Sequence, residues 1–471
     1  MSLLSPEFES LAHAQPIRVT GRVATLRGLT LLVDDLPLPT GSLVRVGPDE
    51  PEPKLGEVVG FDHDRSIVML LNQTGGIRPG DAVTGEQVAP LAPVGPRMLG
   101  RIVDGLGRPI DGRGSIPETL SRPIDPEPIG AMQRARITTQ LLTGVRAIDL
   151  MTPVGRGQRM GVFAGPGVGK STLLAQIARH TDADVNVIAL IGERGREVRE
   201  FVEEALGEEG LARSVVVVAT GDESPLLRLR AAKYACTIAE HFRELGRHVL
   251  LMMDSVTRFA HAQRQVGLSV GEPPATKGYT PSVFSAMALL LERAGIVQDS
   301  GGSITGLYTI LVEGDDMTEP IADAARGILD GHLVLSRALA QKGHYPAVDV
   351  LDSISRVAND VAEAQHLAAR QQILRLLAAH KKIEDLLQIG AYAPGANPEA
   401  DTAIDLLEPV NALLTQGVGE RPVFEQSRSL LIKLAMQSGE MVNVRRQQAA
   451  AFSNAAQAQA QSQNQPQAHG G

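Results

Sequence analysis

A glycine-rich loop that ends in a lysine and two hydroxyl side chains carries the clearest chemistry in this sequence. Glycines let successive backbone N–H groups curl around phosphate oxygens, Lys170 can reach the β- and γ-phosphates, and the Ser171 hydroxyl can ligate Mg²⁺. The strict motif has glycine where this chain has Ala164, a small residue that costs little at negative φ. The residues expected to surround the phosphates are Ala164, Gly165, Pro166, Gly167, Val168, Gly169, Lys170, Ser171 and Thr172. The loop therefore predicts binding of a nucleoside triphosphate with Mg²⁺.

The segments on either side of this loop have the periodicity that a phosphate site needs. Residues 160–164 are short and apolar, as in a buried strand, and residues 171–178 have the apolar spacing of a helix. A strand, a glycine loop and a helix follow one another in the required order.

Two further carboxylates follow apolar runs typical of parallel strands. Ligands bind beyond the carboxyl ends of such strands. Asp254 follows residues 248–253 and could hold Mg²⁺ through its water shell. An N-cap or turn aspartate is the alternative. Arg258, one helical turn later, could face the γ-phosphate, or it could be an exposed helix arginine.

Glu193 follows the apolar run 185–191 and is the candidate that polarises an attacking water. Its competitors Glu197 and Glu200 lie in a charge pattern typical of a solvated helix face. These groups suit phosphoryl transfer to water. Arg356 lies far along the chain, and spacing alone does not place it in the site.

The periodicity changes along the chain and predicts an organisation in domains. Residues 1–92 show short β-branched runs broken by Gly, Pro and Asp, which predicts a β-barrel. Residues 93–370 alternate strands with helices and predict an α/β domain with a parallel sheet. Residues 371–442 predict a small helical domain. Residues 443–471 form an Ala/Gln-rich tail without charge after Arg446, which predicts disorder.

The composition argues against nucleic-acid and membrane binding. The net charge of the 471 residues is −9, and residues 1–92 carry seven basic against twelve acidic side chains with Phe8 and Phe61 as their aromatics. We therefore expect an assembly collar rather than a nucleic-acid-binding barrel. The lone Cys236 is interpreted as a small buried hydrophobe. Neither a signal peptide nor a membrane-spanning run is apparent, which predicts a cytoplasmic protein.

Several long motifs resemble those of one family. Residues 346–355 resemble the signature of rotary ATPase alpha and beta subunits, and residues 192–198 and 251–260 resemble the same superfamily. Residues 271–284 and 291–295 resemble the type III secretion ATPases, and the flagellar protein-export ATPase in particular. The resemblance covers about residues 15–440.

The resemblance implies a homohexameric ring of RecA-like P-loop cores, each with an N-terminal β-barrel and a small C-terminal helical domain, with ATP bound between subunits. By position, Glu193 corresponds to the catalytic glutamate, Asp254 to the Walker B aspartate and Arg356 to the arginine finger of the adjacent subunit. Tyr345 corresponds to the aromatic residue whose ring packs on adenine; the alternative is a tyrosine buried in the core. Arg194 and Arg258 match arginines near the phosphates.

The implied partners are those of a flagellar or related type III export apparatus. They are stator or regulator, stalk-like and membrane gate proteins, together with chaperone–substrate complexes, and they would hold the protein at the inner face of the cell membrane. An ion-translocating synthase subunit is an alternative, but residues 388–398 have no counterpart of its acidic shaft-contact segment. A hexameric nucleic-acid translocase and a non-catalytic ring component are further alternatives. The sequence leaves open whether export is flagellar or of the virulence type.

Overall fold

The computed structural model describes residues 19–47, 53–71, 75–298, 300–312, 314 and 316–463. The chain divides into two compact units. Unit 1 contains the described residues up to Ala135 together with Asp184–Ile310 and Met317–Ile328. Unit 2 contains Arg136–Ala183 and the described residues of Leu311–Asp316 and from Leu329 onwards.

The strands are β1 (Thr20–Arg27), β2 (Thr30–Asp34), β3 (Leu43–Val46), β4 (Lys54–Asp62), β5 (Arg65–Leu70), β6 (Ala82–Gln87), β7 (Leu91–Val94), β8 (Ile102–Asp104), β9 (Leu120–Pro123), β10 (Gln140–Leu141), β11 (Val154–Gly155), β12 (Arg159–Ala164), β13 (Val185–Ile191), β14 (Ser214–Ala219), β15 (His248–Asp254), β16 (Gly295–Ile296), β17 (Ser303–Leu311), β18 (Gly331–Leu335) and β19 (Val348–Ser355).

The α-helices are α1 (Arg146–Met151), α2 (Lys170–His180), α3 (Gly195–Glu200), α4 (Gly207–Ala212), α5 (Pro225–Glu244), α6 (Val256–Ser269), α7 (Pro281–Leu291), α8 (Pro320–Ile328), α9 (Arg337–Gln341), α10 (Ala358–Val361), α11 (Ala364–Gln388), α12 (Pro398–Leu414) and α13 (Phe424–Gln463).

Unit 1 begins with a closed six-stranded barrel in the order β1-β2-β5-β4-β3-β6, in which β6 pairs with β1. Alternate residues of its strands face inward and form an apolar core. That core contains Val23, Leu31, Val33, Leu36, Leu38, Val44, Val46, Val58, Val68, Leu70 and Val83. The barrel occupies the region where the turn-punctuated sequence predicts it.

Unit 1 continues with a parallel sheet in the order β17-β15-β13-β14-β8. Every residue of β13 and β14 is buried, because helices cover both faces of such a sheet. Helix α5 of this unit begins at a side-chain cap. Ser224 accepts a hydrogen bond from the backbone N–H of Leu227 at the start of α5, where Pro225 occupies the first helical position.

In unit 2, β18 pairs in parallel with β12 and antiparallel with β19. Long helices α11, α12 and α13 follow, and side-chain hydrogen bonds such as that from Gln372 to Ser438 join them. The predicted combination of an N-terminal β-barrel, an α/β core and C-terminal helices is confirmed. The boundaries at residues 92, 370 and 442 stay predictions.

The C-terminal tail differs from its prediction. The sequence predicts disorder from residue 443, but α13 continues to Gln463. Alanine and glutamine have high helix propensity, so an uncharged Ala/Gln run can prolong a helix that packing has already nucleated. The prediction for residues 464–471 lies outside the described residues, as does that part of the predicted barrel that covers residues 1–18.

Cys236 on α5 has an exposed fraction of 1%, and burial raises the pKa of its thiol to about 12. A thiol that stays protonated is a poor nucleophile, which agrees with its interpretation as a small buried hydrophobe. Within the described ranges, no helix combines the length and the hydrophobicity needed to cross a membrane.

Candidate functional site

The phosphate loop connects β12 to α2 within unit 2. Gly167 and Gly169 have φ values of 78° and 86°, a left-handed backbone that favours glycine. Ala164 is the last residue of β12 and pairs with Leu335, so this position keeps extended backbone that does not require glycine. The first turn of α2 contains no acidic side chain that would repel an anion. The backbone N–H groups and the helix dipole at the amino end of α2 therefore suit a bound phosphate.

Tyr345 lies beside this loop. A Cβ atom at Gly169 would lie 3.4 Å from Cε1 of the Tyr345 ring. The backbone N–H of Gln416 donates to the Tyr345 carbonyl at 2.8 Å, and the exposed fraction of the tyrosine is 44%. A core tyrosine would be buried, so the accessible ring suits a planar ligand next to the phosphate loop.

Arg356 follows β19 and lies near the start of β12, at the end of that strand opposite to the phosphate loop. Its backbone N–H donates to the carbonyl of Asp330 at 2.9 Å, and the N–H of Asp330 donates to the carbonyl of Arg159 at the start of β12. The phosphate loop follows the other end of β12, about 17 Å away along the strand. That distance exceeds the reach of an arginine side chain, so Arg356 does not serve the phosphate loop of its own chain.

In unit 1, Arg258 lies against Gly192, the residue before Glu193, at the carboxyl end of β13. Gly192 has φ of 74°, and a Cβ atom there would lie 2.9 Å from Cβ of Arg258. The carbonyl of the half-buried Glu193 accepts a hydrogen bond of 3.0 Å from the N–H of Gly221. The stem of Arg258 thus packs on the residue that precedes Glu193.

Asp254 is the last residue of β15 and has an exposed fraction of 5%. The hydroxyl of Thr309 donates to its Oδ1 at 2.7 Å. The N-cap of α6 is Ser255, whose hydroxyl accepts from the backbone N–H of Arg258 at 3.3 Å. Ser255 rather than Asp254 is therefore the capping residue of α6.

Arg194 is placed differently from Arg258. Its side chain is 82% exposed and pairs with Glu197 at 2.9 Å, one turn into α3. Arg196 pairs with Glu200 on the same exposed helix at 3.5 Å. Glu197 and Glu200 thus have the solvated, ion-paired setting that their charge pattern indicates.

Two charged residues were not singled out from the sequence: Arg228, which lies near Arg258, and Glu223, which lies near Arg228. Arg228 on α5 has an exposed fraction of 9% and donates to Oε1 of Gln265 at 2.9 Å. Burial, followed by the charge of Arg258, lowers the pKa of Arg228. Burial also raises the pKa of Glu223, which accepts from the N–H of Thr220 at 2.8 Å. An arginine within an otherwise apolar helix face is the sequence signal that could have identified Arg228.

The donor chemistry fits a magnesium ion better than a fully protein-bound metal. In the part of the chain that the structure describes, no three His, Cys, Asp or Glu side chains cluster as a metal site. Mg²⁺ keeps most of its water and uses one or two protein oxygens together with substrate phosphates. The Asp254 carboxylate and the Ser171 hydroxyl are oxygen donors of that kind.

Comparison with known proteins identifies the family of this chain. The family model described as the ATP synthase alpha/beta family, nucleotide-binding domain, matches residues 144–355. The model described as the T3SS EscN ATPase C-terminal domain matches residues 362–433. The chain is 48% identical to the flagellum-specific ATP synthase of Pseudomonas aeruginosa, covering 89% of this chain and 94% of that protein. It is also 48% identical to the type 3 secretion system ATPase of Xanthomonas euvesicatoria, covering 80% and 84%.

The structure is similar to the assembled ATPase EscN from the type III secretion system of enteropathogenic E. coli. The TM-score is 0.83 at 41% identity, over 88% of this chain and 100% of that chain. EscN in complex with its central stalk EscO gives a TM-score of 0.82 at 40% identity, with the same coverage. These matches, together with the phosphate loop, show that this ATP-hydrolysing chain belongs to the type III secretion and flagellar export ATPases of the ATP synthase alpha/beta superfamily.

Proposed function

We propose that this protein is the Mg²⁺-dependent, homohexameric ATPase that energises protein export through a flagellar type III apparatus. The observation that carries the proposal is the phosphate loop, with left-handed Gly167 and Gly169 leading into the uncapped amino end of α2. Relatives of comparable identity are named for the flagellum and for type III secretion. The match of residues 362–433 to a type III secretion domain supports export rather than ATP synthesis.

Nucleotide binding would use the loop and the accessible ring beside it. Backbone N–H groups of residues 165–170 would hold the phosphates, and Lys170 would neutralise the β- and γ-phosphates. Tyr345 would pack on adenine, because its exposed ring lies beside Gly169. Ser171 and Asp254 would hold Mg²⁺, which supplies positive charge against the β- and γ-phosphate oxygens.

Hydrolysis would require a carboxylate that orients the attacking water and a cation near the phosphate oxygens on which negative charge develops. Glu193 suits the first role because its backbone is fixed by Gly221 at the end of a buried strand. Arg258 suits the second because its stem packs against Gly192. Arg194 would first have to leave Glu197, and an exposed pair of this kind contributes only about 0.2–1 kcal/mol.

A ring of identical subunits would complete the site with Arg356 of the neighbouring subunit. Its position at the far end of β12 supports this role, since it lies beyond reach of its own phosphate loop. A head-to-tail interface that closes into a ring repeats one such shared site at each boundary. Stalk-like, stator, gate and chaperone–cargo partners are proposed by relationship to EscN, which is known in complex with its stalk EscO.

The test measures ATP hydrolysis and protein export with the same variants. Lys170→Ala should abolish nucleotide binding, and Glu193→Gln should bind ATP while losing hydrolysis by about a hundredfold or more. Cells that carry either variant in place of the wild-type protein should secrete fewer filament subunits, measured by immunoblotting of the culture medium. Glu200→Gln, an exposed carboxylate on α3, is the matched control and should retain both activities.

Two results would contradict the proposal in different ways. Normal hydrolysis by Glu193→Gln would remove Glu193 from the catalytic role. Normal secretion with a variant that has lost hydrolysis would separate the ATPase from export. Stimulation of hydrolysis by polynucleotides would instead favour a nucleic-acid translocase.

A further inference from the structure

Thr309 lies directly beside Asp254 in the sheet of unit 1. Strands β15 and β17 are parallel neighbours, and Met253 is paired with Tyr308 in their register. The next residue on each strand, Asp254 and Thr309, therefore share one edge of the sheet and point to the same face. Their exposed fractions are 5% and 0%, and the Thr309 hydroxyl donates to Oδ1 of Asp254 at 2.7 Å.

This contact has the features of a strong hydrogen bond. The acceptor is a carboxylate, and charge-assisted hydrogen bonds are shorter and stronger than neutral ones. The pair is buried, where the lower local dielectric strengthens it further. The same hydroxyl lies 3.2 Å from the carbonyl of Met253, but the charged oxygen at 2.7 Å is the better acceptor. A threonine on a strand also has few χ1 rotamers, so the direction of its hydroxyl is restricted.

We propose that Thr309 is a positioning residue that holds the Asp254 carboxylate in the orientation that receives the hydrated magnesium ion of the nucleotide. The inference rests on the proposed role of Asp254. Rotation about the Cβ–Cγ bond of an aspartate is otherwise broad. A fixed hydrogen bond to Oδ1 selects one rotation and keeps that oxygen as an acceptor. Outer hydrogen bonds of this kind orient metal-binding carboxylates in other proteins.

Valine has nearly the shape of threonine without the hydroxyl, so Thr309→Val removes the donor with little change in packing. Thr309→Ser restores the hydroxyl and loses only a methyl group. Thr305→Val is the matched control, because Thr305 lies four residues earlier on the same face of β17 and has an exposed fraction of 1%. It pairs with Leu250, away from the carboxyl end of β15.

The experiment titrates Mg²⁺ against binding of a fluorescent ADP analogue and, separately, against the rate of ATP hydrolysis. Thr309→Val should raise the Mg²⁺ concentration for half-maximal effect by about tenfold or more in both titrations. Its affinity for the analogue in EDTA should equal that of the wild type, which shows that the variant is folded and binds nucleotide. Thr309→Ser and Thr305→Val should match the wild type.

The inference is overturned if Thr309→Val keeps the wild-type Mg²⁺ dependence, if Thr309→Ser fails to restore it, or if Thr305→Val changes it equally. Asp254→Asn separates this result from the proposed function. If Asp254→Asn raises the Mg²⁺ requirement and Thr309→Val does not, only the positioning role fails. If Asp254→Asn leaves the requirement unchanged, the magnesium role of Asp254 fails, and the role of Thr309 fails with it.

Discussion

The backbone N–H of Arg356 donates to the carbonyl of Asp330 at 2.9 Å, and this contact fixes Arg356 at the end of β12 opposite to the phosphate loop. Asp330 is itself tied to the start of that strand, since its carboxylate accepts from Nε of Arg159 at 3.0 Å. The backbone around Arg356 is thereby held by two neighbouring strands. An arginine so placed lies beyond reach of the phosphate loop of its own chain, which supports the proposed role in a neighbouring subunit.

Arg356→Ala should therefore bind ATP normally and lose the increase of specific activity with protein concentration that ring assembly produces. An arginine finger contributes about 10³–10⁵ in turnover, or about 4–7 kcal/mol of barrier. The measurement is phosphate release across a dilution series, with sedimentation to follow assembly. A dilute monomer as active as the assembled protein would contradict a shared site.

A mixture of two inactive variants tests the same point more sharply. Subunits with Arg356→Ala and subunits with Glu193→Gln should form some intact sites when mixed, because each supplies what the other lacks. Random assembly predicts that about one quarter of the boundaries are intact. A mixture of Glu193→Gln with Lys170→Ala is the control and should remain inactive, since both lesions affect the same side of every site.

The buried pair of Arg293 and Glu240 should matter more for stability than the exposed pair of Arg122 and Glu244 near the end of the same helix. Arg293 donates to both oxygens of Glu240 at 2.8 and 2.6 Å, and both side chains are 12% exposed. Glu240→Ala leaves a buried cation and should lower the free energy of unfolding by about 3–5 kcal/mol. Urea denaturation measures this.

The control for that experiment is Glu244→Ala. Its partner Arg122 lies at 2.7 Å, but the two side chains are 43% and 44% exposed, so the loss should be below about 1 kcal/mol. Equal effects of Glu240→Ala and Glu244→Ala would mean that burial does not govern the contribution of these pairs.

The residues that could be predicted from the sequence are those that follow buried strands. Glu193 and Asp254 come after nearly continuous apolar runs, and the carboxyl ends of parallel strands are where ligands bind. Thr309 carries no such signal, because its role depends on the register between β15 and β17, which local sequence does not encode. Arg228 does carry a signal, an arginine in an otherwise apolar helix face, but its contact with Gln265 depends on how α5 packs.

The C-terminal tail shows another limit of sequence reasoning. Low-complexity polar segments are typically disordered, and the Ala/Gln-rich run beyond Arg446 is of that kind. Helix continuation depends instead on the preceding turns of α13, whose residues Leu431 and Val442 are buried. Cooperative extension of an established helix needs only a favourable propensity, which alanine and glutamine provide.

Glu57 on β4 should give the protein a pH-dependent stability. Burial raises the pKa of its carboxyl to about 7, against the opposing charges of Arg230 and Lys233. The folded protein thus keeps a proton that the unfolded chain has lost, so the free energy of unfolding falls as the pH rises from about 4.5 to 7. Glu57→Gln should remove this decline and stabilise the protein at pH 8 by about 1–3 kcal/mol.

Thermal unfolding between pH 5 and pH 8 measures that effect. Glu118→Gln is the control, because the side chain of Glu118 is 70% exposed and its neutralisation should leave the pH profile unchanged. Wild type and Glu57→Gln should converge at low pH, where glutamine resembles the protonated acid. Parallel profiles at all pH values would contradict a raised pKa at this position.

Gly192→Ala should reduce ATP hydrolysis through Arg258. Alanine at φ of 74° costs about 1–2 kcal/mol, and its Cβ would lie 2.9 Å from Cβ of Arg258. Relief of that contact displaces Arg258, and a misplaced catalytic group can lower kcat by about a hundredfold. Gly195→Ala is the matched control, because a Cβ there meets nothing within 4 Å.

Steady-state kinetics of a double-mutant cycle decide whether the effect of Gly192→Ala passes through Arg258. If it does, Gly192→Ala combined with Arg258→Ala should be no slower than Arg258→Ala alone, since the displaced side chain is already absent. Additive losses would show instead that Gly192→Ala acts on the neighbouring Glu193. Because Gly192 and Glu193 both follow the buried strand β13, the cycle separates an effect on Arg258 from an effect on Glu193.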